Sequence, residues 1–400
     1  MPFDPCSYVY LDWAATAPLC PEAAEAMKPY LEPGAPNLAL GTNPNSLHSP
    51  GRAAFSALEG SRSAIARALR AHRPDEIIFT SGATEADNAA LIGIAHAVRD
   101  ARHARPQEVR IVVSTIEHDA VLEPARRLEA EGFDVVRVDP DREGFVRPEA
   151  LRHALGSDGR AALVSIQAAN SEVGSIQPVA ELADAAHDAG ALFHTDAVQA
   201  LGKCPVDLKA WNVDAASFSA HKVGGPKGVG ALYLKTRTPF AAYLTGGGQE
   251  AGRRSGTQNP CGAAGFAAAC KAAVDALPDE TVRLRALRDL LYRELGAMEG
   301  VSPTVDVSAG DARFLPNVVN VLVDGLESQT MILRLDSLGF GVSGGSACSS
   351  HSLESSHVLR AMGVDPDAAQ GALRVSMGRG TTEADVRAFL EAMPRCLEWR

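Results

Sequence analysis

The chain has 400 residues, of which 46% are hydrophobic and 22% are charged, and this composition is typical of a globular protein. Its net charge of −11 argues against nucleic acid as a direct partner, because phosphate groups bind basic surfaces. No apolar run approaches the roughly 20 residues of a membrane-spanning helix, and the N-terminus lacks the basic start and apolar run of a signal peptide, so we expect a cytoplasmic protein without a membrane partner.

Strand-like and helical patterns alternate along most of the chain. Strands are predicted over residues 8–13, 76–80, 109–114, 135–138, 162–167, 191–195, 231–234 and 314–322, with a further apolar run that ends at Ser219. Helices are predicted over 21–30, 52–71, 121–131, 148–155, 179–189, 260–276, 281–298 and 329–339, with others beginning near Ala83 and at the C-terminal end. This alternation predicts an α/β fold with a mostly parallel sheet between helices.

Two regions depart from the alternation. Residues 31–51 are rich in Pro, Gly and Asn and read as one long irregular loop, a kind of segment that is often functional. From about residue 275 the pattern is that of a smaller α+β unit. We therefore predict a large domain over 15–274 and a small domain formed by 1–14 and 275–400.

Six residues with polar or charged side chains lie at or just after predicted strand ends. They are Thr84, His118, Asn170, Asp196, Gln199 and Lys222. Each of them alone has an ordinary structural role available, in a turn or at a helix start. The carboxyl ends of parallel strands meet at one edge of the sheet, where ligands bind, so the shared position predicts one site.

Lys222 lies in the stretch SFSAHKVGGPKGVGALYL, over residues 217–234, around which we expect the site to be organised. A partly desolvated lysine can form a Schiff base with a carbonyl compound, because it loses its proton easily. The glycines that follow allow the backbone to approach a bound group closely. An isolated lysine in a glycine turn would more often be an ordinary surface residue.

Together these residue types match the needs of pyridoxal 5′-phosphate. Lys222 would hold the aldehyde, and Asp196 would keep the ring nitrogen protonated, which makes the ring an electron sink. Gln199 would reach the ring oxygen, and His118 would stack on the ring. The candidates for the phosphate are small or hydrogen-bonding residues at the start of a helix and near Lys222: Ala83, Thr84, Ser219 and His221.

The seven cysteines are scattered and form no CxxC pair, so we expect neither a disulfide framework nor a metal site. Cys348 differs from the others because it lies in SGGSACSSHS, among glycines and serines. Such a segment is typical of an accessible and mobile thiol, which favours a reactive cysteine over a structural one. Arg374, in the strand-like run LRVS, could bind a carboxylate with two hydrogen bonds or form an ordinary salt bridge.

Seven stretches carry a resemblance to a known family. They are NPNSLH (43–48), FTSGATEADN (79–88), TIEHDAV (115–121), HTDAVQALGK (194–203), SFSAHKVGGPKGVGALY (217–233), RSGTQN (254–259) and SGGSACSSHSLESSHVL (343–359). With them the chain resembles, over nearly its whole length, the cysteine desulfurases of the class V (fold-type I) aminotransferase superfamily. The last stretch resembles the subgroup with a long cysteine loop, which commonly supplies sulfur to iron–sulfur scaffold proteins or to tRNA thiolation.

The resemblance implies a homodimeric pyridoxal-phosphate enzyme with a seven-stranded sheet, whose substrate is L-cysteine. Lys222 would shuttle the alpha proton with help from His118, and Cys348 would take the substrate sulfur as a persulfide and deliver it to an acceptor protein. Arg374 and Asn43 would bind the substrate carboxylate, and Thr257 would bind the phosphate group from the other subunit.

Two positions depart from the family's pattern. The family usually has two asparagines before Glu-x-Gly, near cofactor and substrate, where this chain has Asn170 and Ser171. Gly224 stands where a larger residue is common. The alternatives are a selenocysteine lyase, another class V lyase, or a sulfur-relay protein without catalysis. The presence of Lys222, Asp196 and Cys348 argues against the last.

Overall fold

The structure is a computed structural model that describes residues 4, 7–345 and 355–398. Its strands are β1 (Val9–Tyr10), β2 (Ile77–Thr80), β3 (Arg110–Ser114), β4 (Asp134–Val138), β5 (Ala161–Ser165), β6 (Leu192–Asp196), β7 (Ala215–Ser219), β8 (Gly230–Leu234), β9 (Val301–Pro303), β10 (Val318–Val323), β11 (Phe340–Gly341) and β12 (Ala372–Ser376). Its helices are α1 (Pro21–Leu31), α2 (Ala35–Leu40), α3 (Ser49–Ala68), α4 (Ala83–Ala101), α5 (Asp119–Ala130), α6 (Pro148–Leu155), α7 (Val179–Asp188), α8 (Leu208–Trp211), α9 (Pro260–Gly296), α10 (Ser328–Ser337), α11 (His357–Ala361), α12 (Pro366–Gln370) and α13 (Glu383–Leu397).

The main sheet has seven strands in the order β2-β8-β7-β6-β5-β3-β4, and only β8 runs antiparallel to its neighbours. Its inner strands are apolar and buried, as expected for a sheet that is covered on both faces. Neighbouring residues of β3 illustrate this arrangement. Val112 packs in the core with α3, α6 and α7, whereas Ile111 and Val113 pack with α4 and α5 on the other face. The predicted α/β fold with a mostly parallel seven-stranded sheet is therefore confirmed.

A second sheet lies in the C-terminal part of the chain, where β12, β10 and β9 pair antiparallel. The N-terminal segment joins this part, because β1 pairs in parallel with β11 and Asp12 forms a bridge with Ser376. A separate apolar core holds Leu11 of the N-terminal segment together with residues of α9, α10 and α13. The predicted domain boundary at residues 274 and 275 falls within α9.

Two expectations about local structure are wrong. Residues 260–276 and 281–298 form one 37-residue helix, α9, although Pro278 lies inside it. Proline removes one backbone donor, but packing along the helix can offset that loss, and here α9 packs against α1 and α3. The segment 31–51 is not one irregular loop, because it contains α2 and the first turn of α3. Within the described ranges, every helix is too short or too polar to span a bilayer.

Candidate active site

A cavity of about 440 Å³ opens where β2, β3, β5, β6 and β7 end. Its size lies within the range of about 300–1,000 Å³ that is usual for small-ligand sites. Ala14 and Arg374 contribute to its wall from the N-terminal segment and the second sheet. Ten of the predicted site residues line it: Ala83, Thr84, His118, Ser171, Asp196, Gln199, Ser219, His221, Lys222 and Arg374.

Lys222 lies in a 3-10 turn, Ala220–Val223, that directly follows β7. Its Nζ donates hydrogen bonds to the carbonyl oxygens of Ala14 and Ala15, at 2.7 Å each. Gly224 ends this turn with a φ of +82°, and a β-carbon there would lie only 3.0 Å from Cβ of Cys20. The left-handed backbone and the close approach of the N-terminal segment therefore both favour glycine at this position.

The start of α4 lies in the cavity wall and offers hydrogen-bond donors to an anion. The helix begins at Ala83, which lines the cavity with Thr84, and its N-cap residue Gly82 supplies no side-chain acceptor for the first backbone N–H groups. The ring of His221 lies 3.0 Å from Thr16 Oγ1, measured from Nδ1. Burial and the nearby cations Lys222 and Lys227 lower the pKa of His221 to about 4, so its imidazole is neutral at physiological pH.

Buried carboxyl groups lie beneath the centre of the cavity. Asp196 ends β6, and its Oδ1 accepts a hydrogen bond from the backbone N–H of Val198 at 2.9 Å. Burial raises the pKa of Asp196, while the neighbouring His118 and Lys222 act in the opposite direction. Asp87, on α4, is fully buried, and its Oδ1 lies 3.6 Å from Nε2 of His194. A cationic ring nitrogen bound above Asp196 would compensate this buried negative charge.

Three further side chains have a defined orientation. His118 caps α5, because its Nδ1 accepts a hydrogen bond from the backbone N–H of Ala120 at 3.0 Å. Gln199 donates from Nε2 to the carbonyl oxygen of Ala14 at 2.9 Å. Arg374 is buried and donates to Oδ1 of Asp12 at 2.8 Å and to the carbonyl oxygen of Ser171 at 3.1 Å. Its Nε is also buried and has no hydrogen-bond partner among the described residues.

Four predicted site residues are not part of this lining. Asn170 is buried, and its Oδ1 accepts hydrogen bonds from the backbone N–H groups of Glu172 and Val173, so it shapes the turn after β5. Asn43 is exposed and accepts from the backbone N–H of Asn45. Thr257 is exposed, in the segment before α9. Cys348 lies outside the described residues.

The sequence analysis missed other residues of the cavity wall, among them Asp87, Gln167 and Lys227. Asp87 carries a usable signal, because it shares a predicted helix face with Ala83, Ala90 and Leu91, and an aspartate on such an apolar face is rarely buried without a role. Lys227 also lies in the glycine-rich stretch that contains Lys222, so its position in the wall could have been expected. Gln167 is the last residue of the predicted strand 162–167, so the strand-end position used for the other candidates could have identified it too.

The fold agrees with the comparisons to known proteins. The family described as Aminotransferase class-V matches residues 9–389. A cysteine desulfurase IscS of Dictyoglomus turgidum is 43% identical over 390 residues, which cover 98% of this chain and 94% of the relative. A cysteine desulfurase of Cereibacter sphaeroides is 44% identical over 389 residues, covering 96% of this chain and 95% of that protein. A solved structure described as a NifS-like protein superposes with a TM-score of 0.88 at 36% identity, over 98% of this chain and 100% of the other.

The parallel sheet and the lysine at its carboxyl edge thus define a class V aminotransferase fold with its characteristic site. Within that class, identities of 43–44% over nearly the whole chain identify the group. The chain belongs to the cysteine desulfurase family.

Proposed function

We propose that this chain is a pyridoxal-phosphate-dependent cysteine desulfurase, a sulfurtransferase that converts L-cysteine to L-alanine and receives the sulfur as a persulfide on Cys348. The observation that carries the proposal is the position of Lys222, Asp196, Gln199 and His118 around one cavity that ends at the start of α4. A reactive thiol has no role in an ordinary transamination, so the sequence around Cys348 favours the desulfurase over an aminotransferase.

The residues of the cavity fit pyridoxal phosphate. The helix start with Ala83 and Thr84, together with Ser219 and the neutral His221, would hold the phosphate group. The buried Asp196 would hold a protonated ring nitrogen, and His118 would stack on the ring. When bound, this cofactor withdraws electrons from the alpha carbon of an amino acid that it carries.

Lys222 would hold the cofactor's aldehyde and, once released by the substrate, move the alpha proton. The carbonyl oxygens of Ala14 and Ala15 orient its amine within the cavity. Arg374 would bind the substrate carboxylate, with Asp12 and the Ser171 carbonyl holding its guanidinium in place. Asn43, Asn170 and Ser171 complete the substrate-binding set that we propose, although only Ser171 of these three lines the cavity of this chain.

The overall reaction balances without an external oxidant or reductant. The thiol of Cys348 loses its proton and bonds to the substrate sulfur, while the carbon–sulfur bond of the substrate breaks and its carbon gains a proton. The products are a persulfide on Cys348 and L-alanine. A cysteine thiolate is the attacking species, as in other sulfur exchanges.

We also propose a homodimer in which Thr257 of each subunit reaches the phosphate group of the other. Thr257 is exposed and lies next to Gln258, which accepts a hydrogen bond from Asn45 at 2.8 Å. In the same region, Leu47 is 89% exposed and Leu38 is 62% exposed, and exposed apolar side chains of this kind favour a protein interface. The division into a large domain (15–274) and a small domain (1–14 and 275–400) belongs to the same proposal.

The sulfur acceptor that we propose is an iron–sulfur scaffold protein or a protein of tRNA thiolation, in the cytoplasm. This part of the proposal rests on relatives named cysteine desulfurase IscS and on the resemblance of the Cys348 segment to that subgroup.

The experiment that tests the proposal measures the release of alanine and sulfide from L-cysteine in the presence of a reductant. We expect the wild type to release both in equal amounts and Cys348→Ala to lose turnover while keeping the yellow colour of the bound cofactor. Cys261→Ala, which removes a partly exposed thiol, is the control variant and should keep its activity.

Two results would contradict the proposal. If Cys348→Ala remained as active as the wild type, Cys348 would not be the sulfur acceptor and a different lyase mechanism would apply. If the wild type turned over selenocysteine but not cysteine, the chain would be a selenocysteine lyase.

A further inference from the structure

A second lysine, Lys203, is buried beside the site, and the proposed mechanism does not use it. Only 8% of Lys203 is exposed. It lines a second cavity, of about 380 Å³, which adjoins the cofactor cavity because Lys222 lines both. Among the described residues that line the cofactor cavity, Lys203 is absent. The charge of Lys203 acts to lower the pKa of both Asp196 and His221, and its hydrogen bond reaches the cavity through one side chain.

That side chain is Gln199. The Nζ of Lys203 donates a hydrogen bond to Oε1 of Gln199 at 2.9 Å, while Nε2 of Gln199 donates to the carbonyl oxygen of Ala14 at 2.9 Å. Gln199 and Lys203 lie four residues apart in a helical turn, in which Leu201 and Cys204 donate backbone hydrogen bonds to residues four positions earlier. Residues with this spacing share one face of a turn, so the contact is a consequence of the local backbone.

The two contacts leave one orientation for the Gln199 amide. The Nζ of Lys203 is a donor at 2.9 Å from Gln199, so the group that faces it is the oxygen Oε1. A backbone carbonyl can only accept, so the group that faces Ala14 has to be Nε2. Nε2 carries two N–H groups, and Gln199 lines the cofactor cavity, so the second N–H is available on the cavity side.

Keeping a lysine in this position is costly for the fold. Burial, and then the neighbouring cation of Lys222, lower the pKa of Lys203 to about 7. Arg374 adds to the decrease, whereas Cys204 and Asp196 oppose it. Glu280 and Arg379 face Lys203 from the other side, across the second cavity. A methionine would fill the same volume without this desolvation cost, so the amine at this position favours a role beyond packing.

We propose that Lys203 is a positioning residue that orients the amide of Gln199 so that its Nε2 faces the ring oxygen of the cofactor. The inference rests on the proposed function and deepens it. Without Lys203, the oxygen of Gln199 loses its donor and the amide is held at one end only. The hydrogen bond to the ring oxygen then weakens, although no residue in contact with the cofactor has changed.

The test measures cofactor affinity rather than turnover. Cofactor is removed from the full-length protein, which is then titrated with pyridoxal phosphate and with the analogue that lacks the ring hydroxyl but keeps the aldehyde and the phosphate. The quantity of interest is the ratio of the two affinities. We expect Lys203→Met to reduce this ratio about tenfold, the size of one lost hydrogen bond, by weakening the binding of pyridoxal phosphate alone.

Three variants provide controls. Lys209→Met changes an exposed lysine six residues further on and should keep the wild-type ratio. Lys203→Gln retains a neutral hydrogen-bond donor, so it should reduce the ratio of the two affinities less than Lys203→Met does. It also replaces Lys203→Met in the test if the methionine variant does not fold. In a Gln199→Met background, Lys203→Met should have no further effect on the ratio, because the side chain through which Lys203 acts is gone.

The outcomes separate the inference from the function. If Lys203→Met weakens both ligands equally, or neither, Lys203 does not act through Gln199 and the inference is wrong while the desulfurase proposal stands. If the wild type itself forms no yellow complex with pyridoxal phosphate, the proposed function fails whatever the variants do.

Discussion

At the scale of single residues, Arg374 shows how the site holds a charged group ready for an anion. Its guanidinium is buried, one nitrogen is paired with Asp12, and another bonds to a backbone carbonyl, while Nε has no partner among the described residues. An arginine presents a planar fork of donors that matches a carboxylate, whereas a lysine presents a single point charge. The proposed binding of the substrate carboxylate therefore depends on arginine rather than on positive charge alone.

The first prediction concerns Arg374→Lys. We expect the KM for L-cysteine to rise about 30-fold, equivalent to about 2 kcal/mol for the loss of charged hydrogen bonds, with a smaller change in kcat. Steady-state kinetics with L-cysteine measures both constants. The yellow colour of the bound cofactor should be retained.

The matched control is Arg379→Lys, because Arg379 is half-exposed and pairs with Glu22 at 3.0 Å. It should change KM less than twofold. An equal rise in KM in both variants would mean that Arg374 contributes only its positive charge and does not recognise the substrate carboxylate.

At the scale of elements, β6 combines structural and chemical roles on one face. His194 and Asp196 are two residues apart in a strand and point to the same side. His194 lies between β5 and β7, with its ring nitrogens 2.8 Å from Ser165 Oγ and 2.9 Å from Ser217 Oγ. It thus ties together the strands whose ends form the cavity.

The second prediction concerns the pH dependence of stability. Burial lowers the pKa of His194 from 6.5 to about 3, so at pH 5 the unfolded chain binds a proton that the folded chain does not. This histidine therefore contributes a loss of stability as pH falls from about 7 towards about 3. Between pH 7 and pH 5 the loss amounts to about 2 kcal/mol.

Urea unfolding of the wild type and His194→Gln at both pH values isolates this contribution. The variant should lose about 2 kcal/mol less than the wild type between pH 7 and pH 5. The buried Glu117, whose pKa is raised to about 8, increases the stability of the protein as pH falls, which is opposite to the effect of His194. Because Glu117 is present in both proteins, the comparison between them removes its contribution. Equal changes in the two proteins would mean that His194 does not stay neutral in the folded state.

At the scale of the whole molecule, the site depends on a contact between the two ends of the chain. Ala14, which orients both Lys222 and Gln199, follows Trp13 in the N-terminal segment. Trp13 packs over the turn after β12, so closely that a β-carbon on Gly378 would lie 2.1 Å from Cε3 of the indole. Trp13 also donates from Nε1 to the carbonyl oxygen of Tyr10 at 3.0 Å, which limits how far the ring can move.

The third prediction follows from that contact. Gly378→Ala should displace Trp13, lower the stability of the protein by about 2 kcal/mol, and weaken cofactor binding because Ala14 moves with its neighbour. Chemical denaturation and a cofactor titration measure the two effects.

Gly380→Ala is the matched control, because a β-carbon there would lie 3.4 Å from Trp13 Cζ2, an ordinary contact distance, and the backbone φ is not positive. This variant should leave both the stability of the protein and its affinity for the cofactor nearly unchanged. If the two variants had the same stability and cofactor affinity, the indole of Trp13 would be able to move away from the added methyl group without destabilising the protein.

Much of the lining of the candidate site could be predicted from the sequence because its residues follow strand ends. Asp196 and Lys222 each come directly at or after an apolar run, and parallel strands bring such positions to one edge. Asn170 has the same signal but turns inward to the backbone of its own loop. Position along the chain predicts the edge of the sheet on which a residue lies, but not the direction of its side chain.

The sequence by itself determined the α/β fold, the order of its elements and the motifs of the cofactor site, since these depend on short-range patterns of apolar, glycine and polar residues. Only the tertiary structure decided which groups meet across the chain. Arg374 pairs with Asp12 from a distance of 362 residues, Ala14 binds Lys222 across 208 residues, and α9 continues through Pro278. Such contacts depend on how separate elements pack against each other, so no local sequence pattern encodes them. Packing also stabilises α9 enough to override the helix-breaking preference of Pro278.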